Sequence, residues 1–360
     1  MKPCTQADVA RKLKISQRTV ATVLGKVKTN STARVSDRLR RRILQASQKL
    51  GYTPHLYAQA LRNKRSGLIG LLQFGATSNL NNLRIHHLTR LLQQQGCMPL
   101  HHCIDWFQGN VKPSLDFFHG ARAEGIILIS PPMWIPRDGL ALLSKCQIPM
   151  TVMDGMRLPG VPQIRSDIRQ GMRDLTRHLL EQGHLQLTLQ IRRWKDNPRE
   201  RSYWQIQERI QGFQDAINAF ETKGKNVKGG VFYAEGEQDW RNPYEMGYRA
   251  MEQLLAQRPR PHATLCGNDL WAVGAMACCA AKGLKIPDDM AITGFDNDAI
   301  SEYTVPSLTT VEQQNEILAV ETVRLLMERI NPPPQKKNPE VIKVPCRLIV
   351  RASSGKHSKT

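Results

Sequence analysis

The chain has 360 residues, 41% of them hydrophobic, which is room for two or three domains with buried cores. It holds no uninterrupted apolar run long enough to cross a bilayer, and its eight cysteines form neither a CxxC pair nor a compact frame, so membrane-spanning and disulfide-stapled classes are excluded. The formal charge of +20 is concentrated at one end, where residues 1–66 hold 16 Lys and Arg against only Asp8 and Asp37; such a block attracts phosphates and points to nucleic acid or an anionic surface.

The N-terminal 65 residues read as short helices. Thr5 can cap a first helix that turns Val9, Ala10 and Leu13 to one side, and after the turn at KIS, Ser16 can cap a second carrying Val20, Val23 and Leu24 inward. Two short helices joined by a tight turn make a helix-turn-helix. On the outer face of the second helix stand Gln17, Arg18, Ala21 and Thr22, close to the end that meets base edges in a major groove. Gln pairs with adenine and Arg with guanine through two bonds each, and Thr offers a hydroxyl and a methyl. Thr5, Ser16 and Thr19 at the helix starts are counted as DNA-binding with them. Ser36 opens a third helix whose Leu39, Ile43, Leu44 and Leu50 are expected to close the small core, and Gly51 ends it.

Pro54 then breaks the chain, a short helix-capable segment follows, and residues 63–67 read as a linker. Here the runs ADVARKLKISQRTVATVL and VSDRLRRRILQASQKLGYTPHLYAQALRNKRSGLIGLL resemble the LacI/GalR family of bacterial transcription regulators. The resemblance implies that the segment before this linker becomes a hinge helix on binding DNA, with Leu61 entering the minor groove as an apolar wedge and Tyr57 and Ala58 beside it at the duplex. Packing of Leu61 in the three-helix core is the alternative.

From residue 67 onward strand-like and helix-like segments alternate. Strands are expected at 67–74, 124–130, 148–154, 185–191, 229–234, 263–269 and 290–296, with amphipathic stretches such as MRDLTRHLLEQG between them. Near-continuous apolar strands separated by helices predict parallel sheets covered on both faces, in two lobes. The family resemblance runs on through RHLLEQGH, LCGNDLWAVGAM, KGLKIPDDMAITGFDND and CRLIVRASSG. It implies a two-lobed periplasmic-binding-protein-like domain with a small effector between the lobes. The expected organisation is a helix-turn-helix domain at 1–53, hinge helix and linker at 54–66, an effector-binding and dimerisation domain at 67–352, and a tail at 353–360.

Carried over position by position, the resemblance gives a candidate effector pocket of Asp154, Arg209, Asn268 and Asp296, with Trp240 as a stacking surface. Asp167 either faces the pocket or caps the next helix, and Asp269 reads as a structural residue beside Asn268. Carboxylates, a guanidinium and an amide suit the hydroxyls of a sugar or sugar derivative. A nucleobase, which the indole of Trp240 would suit equally, is the alternative.

Enzyme signatures fail. GxGxxG, GxSxG and HExxH are missing, and GKNVKGG has Gly230 where a Walker lysine would stand. His101, His102 and Cys103 have no second ligand group at a recognised spacing, so neither metal nor cofactor is expected. The start MKPCTQADVARKL lacks the apolar core of a secretory signal, which argues against an exported binding protein. The reading is therefore a cytoplasmic transcription regulator, a repressor, acting as a homodimer on a double-stranded operator under a small effector. Replacing Gln17 or Arg18 by Ala is expected to cost roughly 1–3 kcal/mol on the preferred operator and to relax base choice at one position. Competition binding against random duplex checks this, because equal losses on both DNAs would make the two residues phosphate contacts.

Overall fold

Three short helices make up the head of the chain in this computed structural model, which describes residues 4–24, 35–52, 65–75, 79–104, 110–132, 135–192, 204–234, 242–332 and 341–356. Thr5 opens α1 (Gln6–Leu13) with a capping box: its hydroxyl accepts from the Asp8 N–H, and the Asp8 carboxylate accepts from the Thr5 N–H at 2.9 Å. Ser16 starts α2 (Gln17–Leu24) by accepting from the Thr19 N–H at 3.1 Å, and Ser36 caps α3 (Asp37–Lys49). Gly51, at φ 63°, carries the chain away from α3. Val9, Ala10, Val20, Val23 and Ile43 are buried between the helices.

Part of the expected core is corrected. Leu44 and Leu50 are exposed, at 48% and 37%, and Ala46 and Tyr52 pack on the cluster instead. Leu44 follows the buried Ile43 by one residue, and one helical step turns a side chain about 100° away. The expected hinge helix, with Tyr57, Ala58 and Leu61, lies outside the described residues except for Arg65 and Ser66, which are not helical.

In the first lobe β1 (Leu68–Phe74) lies between β2 (Met98–Ile104) and β3 (Gly125–Ile129), followed by β4 (Met150–Met153), β5 (Gln163–Asp167) and a late strand, Val341–Pro345. All pairings in this six-stranded sheet are parallel. Successive side chains on a strand face opposite ways, and both ways are apolar here. Leu71, Ile127 and Ile129 pack with Leu88 and Leu92 of α4 (Asn79–Gln94) and with the helix Asn315–Ile330. Leu72, Ile126 and Leu128 pack with α5 (Lys112–Gly120) and α6 (Arg137–Lys145).

The second lobe repeats the plan with four parallel strands in the order β7, β6, β8, β9: Lys228–Ala234, Gln186–Arg192, Ala263–Cys266 and Ala291–Thr293. Helices α7 (Ile168–Glu181) and α8 (Trp204–Glu221) cover one face, and α9 (Pro243–Ala256) and α10 (Asp269–Ala281) the other. The chain passes between lobes three times: at Asp167–Ile168, at Gln313–Gln314 and at Pro345–Arg347.

Three strands of the first lobe escape the sequence reading. MPLHHCI and QIRSD carry too many polar residues for an apolar run, and Val341–Pro345 is a sheet edge with partly exposed positions. Two strands of the second lobe end early, at Cys266 and Thr293, because the following residues form loops at the mouth of the sheet. The tail boundary at 353 is also corrected. Ser353 is fully buried, donating to the Ile292 carbonyl at 2.6 Å and accepting from the Thr309 N–H at 2.9 Å, so residues through Gly355 belong to the second lobe.

Glycine sets the distance between α9 and α10. A Cβ on Gly274 would fall 1.9 Å from the Tyr244 carbonyl oxygen, and one on Gly247 would fall 2.0 Å from that of Trp271. Helix propensity alone would make Gly274→Ala stabilising by about 1 kcal/mol, whereas overpacking typically costs about 1–3 kcal/mol. The backbone contact leaves no flexible atom to yield, so the substitution is expected to lower the melting temperature. A higher melting temperature would show that the helices do not approach this closely.

Candidate DNA-reading head and effector cleft

On the head, Ser16, Gln17 and Arg18 are exposed at the N-terminal end of α2, and Ala21 and Thr22 are half-buried. The Thr22 hydroxyl donates to the Arg18 carbonyl at 2.9 Å, which leaves its lone pairs as acceptors. Thr19 and Ser16 share a hydroxyl contact of 2.7 Å, and the Thr5 hydroxyl donates to Asp8 at 2.6 Å. These engaged groups hold the helix starts in place, and Gln17 and Arg18 are the side chains left to reach outward.

The expected effector site lies at the carboxyl ends of the parallel strands, where open α/β sheets bind ligands. Five residues there have left-handed backbone: Ser130 after β3, Asp154 after β4, Asp296 and Asn297 after β9, and Gln314 at the second crossing. Each such conformation costs about 1–3 kcal/mol and persists only when its surroundings enforce it. Gly294 lets the loop after β9 pass, since a Cβ there would meet the Asp269 carboxylate at 2.0 Å. Asp269 is buried and pins the same loop, accepting from the Asp298 N–H at 2.7 Å and the Thr310 hydroxyl at 2.5 Å. Burial drives its pKa upward.

The expected pocket residues separate into two groups. Arg209, Asn268 and Asp296 come together in the second lobe. The Arg209 guanidinium lies 4.6 Å from the centre of the Phe295 ring and its charge acts on Asp296. Asn268 caps α10, its carbonyl oxygen accepting from the Trp271 N–H at 2.8 Å, so its amide nitrogen is the group available to a ligand. Burial raises Asp296 to about 6, against the pull of Arg209 and the hydrogen bond that Gln313 donates at 2.5 Å.

Asp154 is corrected from effector ligand to internal partner. It has no exposed surface; its carboxylate pairs with Arg84 and accepts from the Ser166 N–H at 2.9 Å. Asp167 takes the capping role, accepting from the Gln170 N–H at 3.3 Å, with Lys343 at 3.8 Å. Trp240 lies outside the described residues.

Sequence reasoning missed Arg84 and Gln313. Arg84 is 1% exposed, and besides Asp154 it donates to Asn315 at 3.0 Å, Ser130 at 3.3 Å and Gln313 at 2.9 Å. A signal for it existed: Arg84, Leu88 and Leu92 stand four residues apart, which puts a cation on the inward stripe of α4. Other contacts join the lobes at their margins. The Asn79 amide donates to Asp298 at 2.8 Å, and Arg165 pairs with Glu208 at 3.4 Å while lying over the Trp204 ring.

A helix-turn-helix head joined to two α/β lobes is the architecture of a DNA-binding transcription regulator. Residues 176–354 match the family profile described as a periplasmic binding protein-like domain. Curated relatives are similar over nearly the full length: the chain is 30% identical over 356 residues to the HTH-type transcriptional repressor PurR of Pasteurella multocida (strain Pm70), covering 97% of this chain and 98% of that protein. With the repressor of the same name from Histophilus somni (strain 129Pt) it shares 28% over 354 residues, again covering 97% and 98%. Among solved structures, the lac repressor dimer bound to operator and the anti-inducer ONPF aligns with a TM-score of 0.79 at 22% identity, over 98% of this chain and all of that one. A LacI family regulator from Enterococcus faecium with bound ribose aligns at 0.65 and 22% identity, over 80% of this chain and 98% of that one. The chain belongs to the LacI/GalR family of transcription regulators. It is a DNA-binding transcriptional repressor and not an enzyme. None of the helices among the described residues is long and apolar enough to cross a membrane.

The raised Asp296 sets a stability profile. Its ordinary value is 3.8 and its folded value about 6, so the folded chain holds a proton that the unfolded chain has released between those limits. The group therefore contributes stability that is present in acid and lost as pH climbs from about 4 to about 6. Asp296→Asn is expected to be more stable than wild type at pH 8, with the gap closing by about pH 4. Denaturant melts across that range check the sign, and a gap independent of pH would mean that the carboxyl ionises as an ordinary one.

Proposed function

We propose that the chain acts as a homodimeric, cytoplasmic repressor whose paired heads bind a two-fold operator and whose cleft takes a sugar or sugar derivative. The grouping of Arg209, Asn268 and Asp296 at the ends of the second lobe's strands carries the effector reading. A guanidinium, a primary amide and a carboxylate offer donors and acceptors together, and each sugar hydroxyl can serve as both. Withdrawal of Asp154 into its pair with Arg84 narrows the site without changing that mix. Solved structures of the same fold include the CelR–cellobiose complex and the ribose-bound regulator, which supports a sugar in this position.

A nucleobase is the second reading. It is favoured by the full-length relatives named PurR, a name that suggests a purine effector. In either case the effector acts by differential affinity for two arrangements of the lobes, and thereby shifts the spacing of the segments that lead to the heads.

Calorimetry on the full-length protein with D-ribose, D-glucose, cellobiose, hypoxanthine and guanine separates the readings. Saturable binding of a sugar is expected, weakened about tenfold or more in Arg209→Ala, since a lost charge-assisted bond costs about 1.5–3 kcal/mol. Binding of a purine alone would replace the sugar by the second reading and leave the repressor assignment intact.

A further inference from the structure

Arg84 is the largest fully buried side chain among the described residues, and it lies where a ligand would be expected. Its hydrogen-bonding partner Ser130 directly follows β3, and its ion-pair partner Asp154 directly follows β4, at the ligand-binding ends of the first lobe's strands. The guanidinium is thus spent on the protein's own groups. Gln313, on the second crossing between lobes, extends this arrangement outward. Its carbonyl oxygen accepts from Arg84 at 2.9 Å and from the Ser166 hydroxyl at 2.8 Å, while its amide nitrogen donates to the Asp296 carboxylate of the second lobe at 2.5 Å. The orientation of the amide is forced, because the reverse would set an N–H₂ group against a guanidinium and an oxygen against a carboxylate. Charges of opposite sign at its two ends polarise the amide and strengthen both bonds.

We infer that Arg84 is a tethered occupant of the cleft: it fills the first lobe's half of the site, and through Gln313 it draws Asp296 onto that lobe, so that the effector-free protein is held closed and an effector enters by taking Gln313's place on Asp296. The inference rests on the cleft being the effector site, but the latch itself is testable with no effector present. It also bears on specificity. The effector is held chiefly by second-lobe groups, is small enough to leave Arg84 in place, and carries no positive charge toward the buried guanidinium.

The distance between spin labels on Lys145 of the first lobe and Lys223 of the second, measured in the full-length protein without effector, tests the latch. Wild type is expected to give one narrow distribution. Gln313→Ala, which leaves the Arg84–Asp154 pair intact, and the neutral double variant Arg84→Met with Asp154→Asn are each expected to add a broad population at longer distance. Should the double variant fail to fold, Arg84→Lys takes its place, since it keeps the charge Asp154 needs but lacks the planar fork that reaches Gln313. Distributions unchanged in both variants would overturn the latch. A response to Gln313→Ala alone would overturn the part assigned to Arg84, leaving the glutamine as the sole tie.

Discussion

A guanidinium taken out of water must find its partners inside the protein, and the pairing of Arg84 with Asp154 is the constraint around which the cleft is organised. Removing one member of a buried pair costs about 3–5 kcal/mol, because the other is left charged and unsolvated. That cost ties α4 to the ends of β3 and β4 and, through Gln313 and Asn315, to the start of the helix Asn315–Ile330. The second crossing between the lobes is therefore held by side chains whose first obligation is to a charge in the first lobe.

The second lobe is organised by a different charge. Asp269 is sealed against the loop after β9, where Gly294 makes room for its carboxylate and Asp298 and Thr310 donate to it. This fixes Asp296 at the mouth of the sheet in a left-handed conformation that a longer, unstrained strand would not allow. Strained backbone and a raised carboxyl occur at the same place, a combination that clusters at functional sites. The two lobes thus meet through polar groups that face each other across a crossing point, while their apolar cores remain separate.

By itself the sequence determined the class of protein. Charge crowded into residues 1–66, helix caps at Thr5, Ser16 and Ser36, and apolar runs spaced by amphipathic stretches are local features, and local geometry alone requires them. Arg209, Asn268 and Asp296 could be named together only because the family resemblance carried them over, on the short motifs that surround each of them. Only the tertiary structure decided what those groups face. Asp154 reads as a ligand residue until Arg84, 70 residues earlier, is placed against it, and nothing local marks Gln313, whose partners come from both lobes. The strands Met98–Ile104 and Gln163–Asp167 were hidden for the same reason: their polar residues find partners across the fold, such as Gln73 for His101 and Asp154 for Ser166. Periodicity reports which way a side chain points, but the worth of a buried charge depends on a partner that the chain brings near only when it folds.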